Sequence, residues 1–126
     1  MEFRDSDPIY RQISRIVEQR IIAGEWKPGD RLPSVRDLAV DLEVNPNTVA
    51  RTFQTLADEG LIENRRGIGS FVADGARDAA VQGARHRMES AELPRLFVSL
   101  SLLEYRPEDL ARLYAGFLNP SQESHP

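Results

Sequence analysis

Apolar residues recur along this chain at two different periods, and the changes of period mark its elements. Ile9, Ile13, Ile16, Val17 and Ile21 fall at helical spacing. Asp7-Pro8 precedes them, a capping residue followed by a proline suited to a first helical position. Gly24, free to turn left-handed, is placed to end that helix. Trp26 follows, then Lys27-Pro28-Gly29-Asp30 as a turn and Arg31-Leu32 as a short extended piece. Val35, Leu38, Ala39 and Leu42 give the buried stripe of a two-turn helix, with Ser34 as its cap and Asp37 three residues on. Glu43-Val44 makes a tight turn. Asn45 caps a third helix, Pro46 takes its first position, and Val44 with Val49 forms a hydrophobic staple. Val49, Thr52, Phe53, Leu56 and Ala57 face inward on this helix, and Asn47, Arg51, Gln54, Thr55 and Asp58 face outward. Gly60 stops it.

The period then shortens. Leu61–Arg65 and Ser70–Ala73 read as two strands, joined by Arg66-Gly67-Ile68-Gly69 as a hairpin loop. A hairpin after two helices and a tight turn is a wing. Asp74-Gly75 reads as a hinge. Residues 76–92 carry five alanines and few large apolar groups, and Pro94 interrupts any single long helix. Leu96 to Leu103 is densely apolar. Pro107-Glu108-Asp109 starts a last helix with Leu110, Leu113, Tyr114, Phe117 and Leu118 on one side. From Asn119 the chain is polar. The expected fold is mainly α with a small β-wing: a winged helix-turn-helix at 1–75 and a short helical dimerisation region at 76–126.

Composition narrows the possibilities further. A chain of 126 residues makes one domain, or a small domain with an appendage. No run of about 18 apolar residues occurs, so no membrane span is expected. The N-terminus lacks the basic and apolar regions of a secretion signal. The absence of cysteine removes disulfides and thiolate metal sites, and a cytoplasmic protein fits these features. The net charge is −4, and residues 1–75 hold ten basic side chains against 13 acidic ones. Nucleic-acid binding therefore depends on whether the basic groups share a face rather than on the total. Arg36, Arg51, Arg65 and Arg66 all fall on the elements that would touch DNA.

The candidate chemistry centres on the third helix. Asn47 and Arg51 are four residues apart and share a face. Asparagine can pair with adenine and arginine with guanine in the major groove, and Thr48 can meet a phosphate or a thymine methyl. Arg36, in the first turn of the second helix, is placed for a phosphate. Arg65 and Arg66, at the wing tip, are placed for the minor groove or its phosphates. Each of these residues taken singly also fits an ordinary solvated surface; the order helix, turn, helix, wing favours DNA. His86 and His125 have no spaced partner, so no metal site is expected. No phosphate loop, dinucleotide fingerprint or nucleophile elbow is present, no cofactor is implied, and an enzyme is not expected. Leu96, Phe97, Leu100, Leu102, Leu103, Leu110, Leu113, Tyr114 and Phe117 are more apolar surface than a 50-residue tail can hide, which points to a homodimer. Two rivals stand beside the regulator: a winged helix that binds protein instead of DNA, and a regulator responding to a small-molecule effector of unknown identity held between dimer helices.

These residues resemble the winged helix-turn-helix of the GntR family of bacterial transcription regulators. The matching pieces are Pro8–Ile13, Gly24–Ala39, Val44–Val49, Gly60–Ile62 and Gly67–Val72. The resemblance implies that Arg36, Asn45, Asn47, Thr48, Arg51, Arg66 and Gly67 occupy DNA-contacting places. Residues 76–126 are too few for the large ligand-sensing domain that most members carry, and they look like the YtrA subgroup, whose two C-terminal helices mainly dimerise. Two features depart from that pattern. Pro94 falls inside what is usually a continuous helix, so a kink or break is expected there. Arg106 stands where a serine-like cap is usual, so the last helix is expected to start less well capped.

Overall fold

The computed structural model describes residues 7–120. Helix α1 (Ile9–Ile22) buries Ile13, Val17 and Ile21, the stripe its spacing predicts. It starts one residue later than expected. Pro8 is the N-cap rather than the first helical residue, and no side chain caps the helix. The Asp7 carboxylate instead lies 3.7 Å from Arg15, while the Asp7 carbonyl accepts from Gln12 Nε2 at 2.9 Å. Ile9, expected on the buried face, is 43% exposed.

Helices α2 (Val35–Leu42) and α3 (Pro46–Asp58) form as the caps predict. Ser34 Oγ accepts from the Asp37 amide at 3.0 Å, and Asn45 Oδ1 accepts from the Asn47 amide at 2.7 Å. Each bond satisfies one of the orphan amides of a helix start. Glu43 makes the tight turn between them in the left-handed conformation, φ 57°. Val49, Thr52, Phe53 and Leu56 of α3 pack inward, with Leu38, Ala39 and Leu42 of α2 in the same core. Val44 packs against that core, and Trp26 covers part of its edge.

The wing is a two-stranded antiparallel sheet, β1 (Ile62–Arg65) and β2 (Gly69–Val72). Its register pairs Ile62 with Val72 and Arg65 with Gly69. Gly69 is thus in the ladder, and the connecting loop is only Arg66-Gly67-Ile68, one residue shorter than the sequence suggests. The segment before α2 closes on the other side of β2: Gly29 and Leu32 amides donate to the Val72 and Ser70 carbonyls, and Arg31 bridges Phe71. The short extended piece at Arg31-Leu32 is therefore a third edge of the wing.

Helix α4 (Ala76–Arg87) begins just after the Asp74-Gly75 turn, and its Ala76 and Ala80 are buried in the same core as α1 and α3. Small side chains at these two positions allow close approach; Ala79 and Ala91 are exposed and Ala84 is half-buried. Arg77 Nε donates to the Ile22 carbonyl at 3.1 Å. Contacts divide the chain into a unit ending at Arg85 and a second unit beginning at His86.

In the second unit, Met88–Glu92 forms a π-helical turn that leads into α5 (Leu93–Leu102). Pro94 does not break the helical backbone; Arg87, Glu92 and Leu93 all keep right-handed helical dihedrals. Proline lacks an amide and clashes with the carbonyl four residues back, here Ser90, and the wider π turn absorbs that conflict. Helix α6 (Pro107–Leu118) has Arg106 at its N-cap. Arginine has no acceptor to offer the helix amides. Asp109 supplies the other half of the cap, its carboxylate accepting from the Arg106 amide at 2.9 Å. No residue of α5 is buried, and in α6 only Gly116 is. Leu96, Phe97, Leu103, Leu113, Tyr114 and Phe117 are exposed, and Leu100 and Leu110 are half-buried. His125 and most of the polar tail lie outside the described residues. No helix among the described residues is long and apolar enough to cross a membrane.

Candidate nucleic-acid interface

The outer face of α3 is set by its inner one. Burial of Val49, Thr52, Phe53 and Leu56 leaves Asn47 and Arg51 exposed and Thr48 half-exposed. The later part of this face satisfies itself: Gln54 Nε2 donates to Asp58 Oδ1 at 3.0 Å, and Thr55 Oγ1 donates to the Arg51 carbonyl. The polar groups left for a partner are therefore those of the first turns. Asn45 is partly committed, since its Oδ1 caps the helix.

Arg51 is not free in space. Its guanidinium carbon lies 4.0 Å from the centroid of the Tyr10 ring. Pro8, Ile9, Tyr10, Asn47, Thr48 and Arg51 line one shallow depression, so the start of α1 joins the predicted recognition residues. Arg11 Nε donates to the Tyr10 hydroxyl at 3.2 Å. That bond is the largest cause holding the Tyr10 phenol below its ordinary value near 10; desolvation opposes it, and the positive charges of Arg11 and Arg51, with a weaker hydrogen-bonding contribution from Arg51, add to it. Tyr10 and Arg11 were not found by sequence reasoning. They sit outside the helix-turn-helix in sequence, and the signals were that Tyr10 interrupts the polar side of an amphipathic helix and that both lie in the Pro8–Ile13 piece of the family resemblance.

The wing carries a second polar group. Asn64, Arg65, Arg66, Gly67, Ile68, Gly69 and Ser70 line a depression at its tip. Arg66 is exposed with no hydrogen bond or ion pair among the described residues. Arg65 is held within the wing: it lies 3.2 Å from Glu63 and stacks over Phe71 at 4.6 Å. The two adjacent arginines are thus unequal. Arg31 braces the tip from beneath, its guanidinium donating to the Ile68 carbonyl at 2.7 Å. Asn64 ties the wing to α3, its Nδ2 donating to the Phe53 carbonyl at 3.4 Å, while Ser70 Oγ donates to Asn64 Oδ1 at 2.6 Å. An asparagine in a strand is unfavourable by propensity, and that was the signal that it holds something. Arg36, in the first turn of α2, is exposed with no partner among the described residues. No cluster of three or more metal-ligating side chains occurs among the described residues.

This arrangement of capped helices and braced wing is also found in known proteins. The profile of the bacterial regulatory proteins of the gntR family matches residues 9–72, half of the chain. The chain belongs to the gntR family. It is similar to the HTH-type transcriptional repressor YtrA of Bacillus subtilis (strain 168), with 40% identity over 95 residues, which cover 75% of this chain and 72% of that protein. It is similar to the HTH-type transcriptional regulator YhcF of the same organism, with 45% identity over 75 residues, 60% of this chain and 62% of that one. Its fold matches the crystal structure of a transcriptional regulator of the GntR family from Bacteroides thetaiotaomicron with a TM-score of 0.74 and 32% identity, over 90% of this chain and 99% of that chain. The gntR-family winged helix is a DNA-binding element, and the relatives are transcription regulators rather than enzymes.

Proposed function

We propose that this gntR-family protein is a homodimeric repressor that binds a palindromic operator in the cytoplasm. The exposed first turns of α3 carry the reading: Asn47, Thr48 and Arg51 share the outward face of a helix already capped and seated. In this reading each subunit lays α3 in a major groove, with Asn47 and Arg51 meeting base edges and Thr48 a phosphate or thymine methyl. Arg36 and Arg66 take backbone phosphates, Gly67 lets the wing tip come close to the duplex, and Arg65 keeps the wing in shape while adding charge. The exposed apolar faces of α5 and α6 support dimerisation, because two short helices without a buried core need a partner surface. Two-fold symmetry then asks for half-sites about one helical turn, or a multiple, apart. Similarity to a protein named a repressor supports repression over activation. No effector is assigned.

Selection of bound fragments from random duplex DNA with purified protein tests this directly. A palindromic motif is the expected outcome. Retention without any sequence enrichment would sink the proposal.

A further inference from the structure

An arginine that reads a base must offer the donor edge of its guanidinium while its long side chain is held still. Arg51 is held by a ring and not by an acid. No carboxylate pairs with it among the described residues, and its guanidinium carbon lies 4.0 Å from the Tyr10 ring centroid. A flat cation against a ring face keeps its charge and its in-plane N–H donors, whereas an acidic partner would occupy both. Tyr10 is itself fixed. Its carbonyl oxygen accepts from Ser14 Oγ at 2.9 Å and is within 3.1 Å of Thr52 Oγ1. Thr52 is fully buried and adjacent in sequence to Arg51. The backbone beneath Tyr10 is therefore tied to the inner side of the same helix whose outer side carries Arg51.

We infer that Tyr10 is a positioning residue for base readout, its ring pre-ordering the Arg51 guanidinium so that the donor edge faces the major groove. This rests on the reading of α3 as the DNA-reading helix and adds to it a specificity determinant on α1. Asn47, four residues earlier, has no such support and reads independently of Tyr10.

The test uses the full chain on the motif selected by the wild type, with affinities measured for every single-base variant. Arg51→Ala should lose about tenfold discrimination at one position of each half-site. Tyr10→Leu should lose most of the discrimination at that same position and leave the others within about twofold, since the arginine is still present but unordered. Tyr10→Phe, which keeps the ring and drops the hydroxyl, should restore it. The double variant Tyr10→Leu with Arg51→Ala should be no less selective than Arg51→Ala alone. Thermal melts check that each variant folds, and Tyr10→Gln takes the place of the leucine variant if that one does not. Full discrimination in the ringless variant overturns the inference. So does a uniform loss of affinity on every sequence, the mark of a phosphate contact, and so does a phenylalanine variant that behaves like leucine. These outcomes leave the operator reading standing. A wild type that selects no motif overturns that reading and this inference with it.

Discussion

Asn45 shows how one side chain can be legible in sequence and still change meaning in the fold. Resemblance places it among DNA-contacting positions, yet its Oδ1 is spent on the Asn47 amide. Its first duty is to start α3 where Asn47 and Arg51 face outward. Asn45→Ala should therefore lower stability by about 1 kcal/mol in urea titration, and Asn45→Ser, which also caps, should recover most of it. Equal losses in both variants would mean that the cap contributes little. Gly69 is a second case. It sits at φ 144°, and a Cβ there would stand 2.8 Å from Arg31 Nε. Gly69→Ala should cost roughly 1–3 kcal/mol through backbone strain and displacement of the arginine brace. An unchanged denaturation midpoint would show that Arg31 moves away freely.

The wing illustrates what an element adds to its residues. Its two arginines are neighbours in sequence, but strand pairing puts one against Glu63 and Phe71 and leaves the other at the loop. A solvent-exposed ion pair is worth little, and DNA could dislodge it. The difference is that Arg66 has nothing to give up. Arg66→Ala should weaken binding on all sequences alike and flatten the dependence of log affinity on log salt by about one unit. A salt slope equal to the wild type's would remove Arg66 from the phosphate contacts. Helix α3 and the wing were readable from period, caps and turn residues. The bracing by Arg31 and Asn64 was not, because these bonds join different elements, 37 and 11 residues apart, and periodicity reports only on positions within one element.

At the scale of the molecule, the net charge of −4 is a poor guide, because binding depends on the few cations left without partners and not on the sum. The C-terminal helices are the larger anomaly. Phe117 is 76% exposed and Leu102 78%, values that water tolerates badly in a cluster. A dimer covering about 800 Å² per subunit would resolve this. Phe117→Asp should give a monomer by light scattering with the winged helix still folded, and operator affinity should fall as the second half-site contact is lost. A variant that remains dimeric would place the interface elsewhere.

Local rules were sufficient for what lies close in sequence. The spacing of Val35, Leu38, Ala39 and Leu42, the caps at Ser34 and Asn45, and the glycines around the hairpin specify helices, turn and wing, because each depends on contacts a few residues apart. The alternation of faces on α3 likewise determined which side chains point outward. The tertiary structure alone decided what holds them: Tyr10 under Arg51, Asn64 on the Phe53 carbonyl, Arg31 beneath Ile68. It also turned the conflict at Pro94 into a π turn rather than a break. Such pairings are chosen when separate elements dock, where distance in the chain no longer limits which groups meet.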